Sequence, residues 1–213
     1  ISGNSIQGSR YGMHFIFSPY CHVEGNRLSN NATGIIVLNS NYLRIRNNTL
    51  QHTNDVSGAC VAIKKSTEIL AEGNRIVHCA TGILSDSPVG DANKVVFRGN
   101  LVAHNMTGIQ LYGEKGGHTF ENNRFEKNLV HVAMYGSGDA LSNRWQGNYW
   151  DDYQGFDLNR DGMGDTPHEV YAYADRIWME TPAARFFRNS PALELLDFLE
   201  RLAPFSAPDL ILR

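Results

Sequence analysis

The sequence predicts an all-β protein, a right-handed parallel β-helix followed by a short α-helical extension. Three observations predict it: a repeat of 22 to 26 residues, apolar residues at the same places in every repeat, and one place where the charge alternates between repeats. A repeat of this length without helical periodicity is typical of one solenoid coil, whose strands stack about 4.8 Å apart on those of the next coil. The crossover rule for parallel strands gives the right-handed sense.

The repeat is marked by Gly-Asn or Asn-Asn dipeptides, which occur at Gly3-Asn4, Gly25-Asn26, Asn47-Asn48, Gly73-Asn74, Gly99-Asn100 and Asn122-Asn123. The steps between them are 22, 22, 26, 26 and 23 residues. We therefore predict about six coils over residues 1–150. Because the repeat is already under way at residue 1, we expect the chain to be part of a longer protein with earlier coils.

Apolar columns of the repeat predict the inside of the coils. Two residues after each Asn stand Ile6, Leu28, Leu50, Ile76, Val102 and Phe125. Three residues before it stand Ile1, Val23, Ile45, Ala71, Phe97 and Phe120. A third column, which follows Gly12, Gly34, Gly58, Gly82, Gly108 and, in the sixth repeat, His131, holds Met13, Ile35, Ala59, Ile83, Ile109 and Val132. Alternation along the chain after these glycines predicts strands with one buried face.

Two polar columns are also explained by stacking. The position two residues before the Asn alternates in charge through Glu24, Arg46, Glu72, Arg98 and Glu121. Vertical neighbours of opposite charge attract, so these glutamates are predicted to pair with arginines and not to act as catalytic acids. The Asn column is predicted to form a ladder of stacked amides.

Composition excludes several classes of protein. The chain has 213 residues, a mass of 23.8 kDa and a net charge of −3, which argues against nucleic acid as the main partner. Its 20 glycines and 20 asparagines disfavour a helical bundle, because both residues are poor in helix interiors. No apolar run reaches about 18 residues, so any membrane contact is expected to be peripheral.

Three cysteines, Cys21, Cys60 and Cys79, are too few for the disulfide framework of a small secreted domain. One bridge with one free thiol, or burial as small apolar residues, both remain open. The chain has no glycine-rich phosphate loop, no nucleophile elbow and no four-cysteine zinc spacing.

Two further segments are predicted after the coils, an Asp/Gly-rich loop over 151–180 and a helical segment over 181–213. Thr181-Pro182 and Ser190-Pro191 are helix start signals. The second helix, roughly 191 to 202, is strongly apolar, with docking candidates Leu193, Leu196, Phe198, Leu199 and Leu202. It is either a cap on the open end of the β-helix or a docking element for a partner. The apolar tail Pro208 to Leu212 favours the docking interpretation.

The Asp/Gly-rich loop resembles the first half of a calcium loop. Oxygen donors stand at its positions 1, 3, 5 and 9, which are Asp157, Asn159, Asp161 and Asp165. Position 12 is His168 instead of the bidentate Glu, which excludes a full EF-hand. The loop is either a structural calcium site or a turn stabilised by Asp and Asn without metal.

One column supplies soft metal ligands. Three successive repeats place His52, His78 and His104 four residues after the Asn, between Asn30 and Lys127. Stacked coils bring such neighbours to about 5 Å, and Cys79 and Met106 follow one and two residues further along. Imidazole, thiol and thioether together favour copper, especially Cu(I). The alternative is that these polar side chains only stack in the turns.

A family resemblance rests on three stretches of sequence. They are Gly147-Asn148-Tyr149-Trp150-Asp151-Asp152-Tyr153, the loop from Gly155 to Pro167 with Arg160-Asp161-Gly162, and the tail with Pro182-Ala183-Ala184-Arg185 and Asn189-Ser190-Pro191-Ala192-Leu193. With the Thr-Gly-Ile coils before them, they resemble the NosD family of accessory proteins in nitrous oxide reductase maturation.

This resemblance implies a non-enzymatic periplasmic protein that helps to assemble copper sites. The implied partners are an ATP-binding-cassette ATPase and its permease, a copper chaperone and the apo-reductase. The main alternative is a carbohydrate-active lyase, hydrolase or epimerase, in which Asp55, Asp86 and Asp91 would converge with His78. A passive carbohydrate-binding surface is a third candidate, but the aromatic columns that would favour it are not evident in the sequence.

Overall fold

A computed structural model describes residues 1–53, 55–86, 88, 94–112, 116–135, 142–153, 155–170 and 210–212. The chain divides into two compact units, which apart from the final residue are 1–154 and 155–212. The first unit consists of short strands, numbered here along the chain, in three parallel sheets.

Sheet 1 has seven strands, β1 (Ser5–Gln7), β4 (Arg27–Ser29), β7 (Thr49–Gln51), β10 (Arg75–Val77), β13 (Leu101–Ala103), β16 (Arg124–Glu126) and β19 (Tyr149–Trp150). Sheet 2 has six, β2 (Tyr11–Ile16), β5 (Thr33–Leu38), β8 (Ala59–Lys64), β11 (Thr81–Asp86), β14 (Thr107–Tyr112) and β17 (Val130–Tyr135). Sheet 3 has six, β3 (His22–Glu24), β6 (Arg44–Arg46), β9 (Ile69–Glu72), β12 (Val95–Arg98), β15 (His118–Glu121) and β18 (Arg144–Gln146). Each coil thus gives one strand to each sheet, which confirms the β-helix.

The Gly-Asn repeat is a bend between sheets 3 and 1. The residue before each ladder asparagine, such as Gly25 or Asn47, has a φ between 53° and 67°. Gly and Asn adopt this left-handed conformation most readily, which explains why only these two types occur there.

The asparagines after these bends form a continuous ladder inside the coils. It comprises Asn4, Asn26, Asn48, Asn74, Asn100, Asn123 and Asn148. From Asn26 onward, each Oδ1 accepts the backbone N–H and the Nδ2–H of the asparagine one coil earlier, at 2.9–3.0 Å. The other Nδ2 hydrogen of Asn74 donates to the carbonyl of Ile45 at 2.8 Å. The buried amides are therefore satisfied, as the sequence predicted.

The apolar columns are also confirmed, except that Ile1 is 61% exposed. Leu28, Leu50, Ile76, Val102 and Phe125 lie in register in sheet 1 and are 0–1% exposed. In sheet 3 the last coils stack aromatic rings, with ring centroids 5.1 Å apart for Phe97–Phe120 and 4.1 Å apart for Phe120–Trp145. The core is thus a set of vertical stacks along the coils.

The alternating charges form ion pairs on the outside of sheet 3. Arg46 lies 3.0 Å from Glu72, and Arg98 lies 3.0 Å from Glu121 and 3.8 Å from Glu72. These glutamates are partners of arginines, as predicted.

The predicted register was wrong in the third coil. Val61, not Ala59, pairs with Ile35 and Ile83, so Cys60 occupies the place that glycine takes in neighbouring coils. The longer repeat places its extra residues before β8, where the N–H of Gly58 donates to the carbonyl of Asp55 in a turn. Cys60 forms a disulfide with Cys79, and Cys21 is the free thiol.

In the second unit, β20 (His168–Val170) pairs antiparallel with β21 (Leu210–Leu212). The apolar tail at the end of the predicted segment 181–213 thus contains a short strand. The helices proposed earlier in that segment, with Leu193, Leu196, Phe198, Leu199 and Leu202, lie outside the described residues. Within the described part of the chain, no helix has the length and apolarity needed to span a membrane.

Candidate metal sites

The histidine column lies at the corner that follows sheet 1. His52, His78 and His104 have φ values of 54°, 56° and 56°, like Asn30 at 55° and Lys127 at 50° in the same column. At Asn30 and at the three histidines the backbone N–H of this corner donates to a carbonyl of the next coil, as from His78 to Ala103 at 3.3 Å. The left-handed bend turns each imidazole outward to solvent.

The three rings form a stack. The ring centroids of His52 and His78 are 5.1 Å apart with an interplanar angle of 9°, and those of His78 and His104 are 5.1 Å apart with an angle of 19°. The three histidines are therefore neighbours in one column, as the repeat predicted. Stacked rings turn their faces to one another, whereas the nitrogen lone pairs lie in the ring planes.

The surroundings of His78 favour its neutral form. Desolvation lowers the pKa of His78 below its ordinary 6.5, and the adjacent His104, His52 and Arg75 lower it further by charge repulsion. A neutral imidazole keeps the lone pair that a metal needs.

The two soft ligands predicted next to this column differ in whether their sulfur atoms are available to a metal. Cys79 is bonded to Cys60 and buried, so its sulfur is not a thiolate, and the prediction of a thiolate ligand there is corrected for the oxidised protein. The Met106 side chain is 43% exposed, so its thioether is open to solvent. Imidazole and thioether remain as the donors of this region.

A second cluster, which the sequence analysis missed, joins His131 to Asp151 and Asp152. Nε2 of His131 lies 3.0 Å from Asp151 Oδ1 and 3.4 Å from Asp152 Oδ1. Among the described residues, this is the group of three whose ligand atoms all lie within 4.8 Å of one another. Such spacings match the edges, about 3.0–3.4 Å, of a coordination shell with a radius of about 2.1 Å.

The orientation of Asn128 opposes a metal ion in this cluster. Asn105 and Asn128 form a separate pair of stacked amides, which fixes this orientation: Oδ1 of Asn128 accepts from Asn105, and its Nδ2 donates to the carbonyl of Val102. Nδ2 also lies 3.3 Å from Nδ1 of His131 and can only donate to it. The hydrogen of a neutral His131 is then on Nε2, where it faces Asp151 and occupies the nitrogen that a metal would need. Metal-binding histidines normally donate from the other nitrogen to an acceptor, and Asn128 offers a donor instead.

The calcium candidate is an exposed loop closed by its own side chains. Oδ1 and Oδ2 of Asp157 accept from the N–H groups of Asp161 at 3.1 Å and Gly162 at 3.0 Å. Asp165 Oδ2 accepts from the N–H of Leu158 at 2.6 Å, and Asn159 Nδ2 donates to Asp161 Oδ2 at 3.0 Å. The four predicted donors thus belong to one turn, whose carboxylates engage backbone N–H groups.

The carboxylates of the enzymatic alternative are engaged elsewhere. Asp55 accepts from Ser57 within its own turn, and Asp86 accepts from the N–H of Lys65 at 2.8 Å. Asp91 lies outside the described residues.

Aromatic stacks, which the sequence did not make evident, are present on the outside of the coils. Tyr20 stacks on Tyr42 with ring centroids 4.8 Å apart, and Tyr112 stacks on Tyr135 at 5.3 Å. Each pair occupies equivalent places in successive coils.

Comparison with known proteins shows similarity to one family. A family model described as NosD, "Periplasmic copper-binding protein (NosD)", matches residues 1–155. A protein of Pseudomonas aeruginosa named "Probable ABC transporter binding protein NosD" is 32% identical over 143 residues, 62% of this chain and 33% of the relative. One of Stutzerimonas stutzeri with the same name is 33% identical over 110 residues, 40% of this chain and 25% of the relative. The chain thus matches a third or less of the length of these curated relatives.

Proposed function

Because the chain belongs to the NosD family, described as periplasmic copper-binding proteins, we propose that it carries copper in the periplasm on the column of His52, His78 and His104. The stack of three solvent-exposed imidazoles on successive coils is the observation that supports this site. Copper is the cargo of the protein in this proposal, and no chemical conversion is assigned to the chain.

The chemistry suits Cu(I) more than a hard ion. Imidazole nitrogens, with the exposed thioether of Met106 close in sequence, are ligands that copper accepts and calcium does not. The exposed position allows a partner to reach the ion without opening the fold.

The wider role follows from the relatives. Both are named ABC transporter binding proteins. We propose that this chain accepts copper from a chaperone and, together with an ABC permease and its ATPase, supports the assembly of the copper sites of nitrous oxide reductase. The apolar residues Leu193, Leu196, Phe198, Leu199 and Leu202 are proposed to dock on the permease.

An anaerobic Cu(I) titration against a competing chelator tests the copper site. The triple variant H52N/H78N/H104N is the comparison, because asparagine already occupies the equivalent corner at position 30 and adopts its left-handed backbone. We expect tight binding by the native chain and its loss in the variant. The exposed His22, replaced as His22→Asn, is the control that removes a histidine from another sheet. Equal binding by the native chain and the triple variant would contradict the proposal.

Carbohydrate binding is a second candidate, favoured by the stacked pairs Tyr20–Tyr42 and Tyr112–Tyr135. Aromatic faces at the spacing of the coils fit the apolar faces of sugar rings. A glycan array with the native chain and a Y20A/Y42A variant tests it, and binding that the variant lacks would support this function.

A further inference from the structure

The histidine column has three members, and its two neighbouring pairs have equal ring separations. Ring centroids are 5.1 Å apart on both sides of His78. His52 and His104 therefore lie two coils apart and are separated by the ring of His78. The way in which this column would hold its ion rests on the proposed copper site.

Two stacked imidazoles cannot coordinate the same metal ion unless their rings rotate. Nitrogen ligands lie about 2 Å from a bound metal, so two of them that share an ion are at most about 4 Å apart. Rings stacked at 5.1 Å must tilt toward one another to reach this separation and to aim their lone pairs at the ion. All three side chains are exposed, so such rotations meet little packing resistance.

This tilt allows copper to be bound by only one of the two neighbouring histidine pairs at a time. When the His78 ring turns toward the coil of His52, its nitrogen moves away from His104, and the reverse holds for the other direction. His78 can complete only one pair at a time. The two end histidines are two coils apart, twice the separation of a neighbouring pair, and the ring of His78 lies between them.

We infer that the column binds one Cu(I) ion, with His78 as the ligand common to two positions, and that copper passes between these positions by exchanging His52 for His104. In this exchange one Cu–N bond breaks while another forms. Exchange of one nitrogen ligand for another transfers no electron, so copper keeps its oxidation state.

The charges of neighbouring side chains make the affinity for copper different at the two positions. The next member of the column beyond His104 is Lys127, whereas the member before His52 is the neutral Asn30. A lysine one coil away, about 4.8 Å along the axis, repels a cation at the His78–His104 position more than at the His52–His78 position. The ion therefore favours the His52 side.

Single variants test the shared ligand. We expect one Cu(I) per native chain in the anaerobic chelator titration. H52N and H104N each leave one pair, so the affinity falls about twofold when the positions are equal, with the smaller loss in H104N. H78N leaves no adjacent pair, so the affinity falls roughly 10²- to 10⁴-fold, the usual gain from a second tethered ligand.

A gain-of-site variant provides the complementary test. Asn30 shares the corner, the left-handed backbone and the hydrogen bond of its N–H to the next coil. N30H extends the column to four, in which the pairs 30–52 and 78–104 share no ligand. Two Cu(I) ions per chain are expected for N30H, with circular dichroism showing that the β-helix is kept.

The outcomes separate this inference from the copper site itself. Absence of Cu(I) binding by the native chain overturns both. Binding by the native chain, together with equal losses in H52N, H78N and H104N or a single ion in N30H, overturns the shared-ligand inference and leaves the copper site standing.

Discussion

The Nε2 nitrogen of His131 lies 3.0 Å from Oδ1 of Asp151, while the other oxygen of Asp151 accepts the backbone N–H of Lys127 at 2.8 Å. In the preceding coil the equivalent N–H, that of His104, donates to the carbonyl of Glu126. Asp151 therefore takes the place of the next coil's carbonyl at this corner. The Asn-Tyr-Trp-Asp-Asp motif thus terminates the corner column with a side chain.

Replacement of Asp151 is expected to destabilise the coils. D151A leaves the buried Nε2–H of His131 and the N–H of Lys127 without this acceptor, at a cost of about 1–3 kcal/mol in the free energy of unfolding. Urea denaturation at neutral pH measures it. D152A is the matched control, because Asp152 is more exposed and lies 3.4 Å from the same nitrogen. An equal loss in the two variants would argue against the terminating role.

The disulfide is expected to contribute strongly to stability. Cys60 and Cys79 are separated by 19 residues, and closure of a loop of this size constrains the unfolded chain by about 3 kcal/mol. The C60A/C79A variant should lose about this amount in urea denaturation. C21A, which removes the free thiol, should change little. An insensitive C60A/C79A variant would contradict the bridge.

The asparagine ladder predicts a dependence on position. N74A removes the Oδ1 that satisfies the N–H and Nδ2 of Asn48, and we expect a loss of about 3 kcal/mol. N4A should lose much less, because Asn4 is exposed and water can replace the partners of its amide. Thermal unfolding of both variants distinguishes a ladder from isolated turns, for which the two losses would be alike.

The histidine column predicts a pH response centred on His78. Its folded-state pKa is lowered below 6.5, so the folded protein takes up its proton at a lower pH than the unfolded chain does. This histidine therefore lowers stability as the pH falls below about 6.5 and has no effect above it. Histidine NMR titration should place its midpoint below 6.5, and H52N/H104N should raise it. A midpoint unchanged by removal of both neighbours would contradict the charge repulsion.

The Asp/Gly-rich loop is proposed as a structural calcium site. Calcium would replace backbone N–H groups as the partner of the carboxylates in Asp157, Asp161 and Asp165. Calorimetry of the native chain with and without calcium should show a higher Tm with calcium, and D157N/D161N should abolish the difference. The same Tm with calcium and with chelator would show that the loop is a metal-free turn.

Features that recur from one coil to the next could be predicted from the sequence, because the period alone decides which residues are neighbours. The amide ladder, the Arg46–Glu72 pair and the histidine stack all belong to this class. The third coil was misaligned because its extra residues had no counterpart by which to place them. The Tyr20–Tyr42 stack did carry a signal, since both tyrosines stand six residues before the ladder asparagine.

The His131 cluster could not be read from the repeat. His131 occupies the place where Gly108 stands one coil earlier, and its partners Asp151 and Asp152 follow after the regular pattern has faded. A Cβ at Gly108 would come within 2.7 Å of the His131 carbonyl and 3.2 Å of Asn128, which excludes side chains there. The departure from glycine in the last full coil was the one signal of a different role.

The most direct test of the copper column is X-ray absorption at the copper edge on the Cu(I)-loaded native chain and on H78N. The account predicts imidazole nitrogens as the nearest ligands of the native ion, with their ring scattering, and the loss of the nitrogen pair in H78N. A sulfur-only shell, or the same imidazole signal in both proteins, would contradict copper binding by this column.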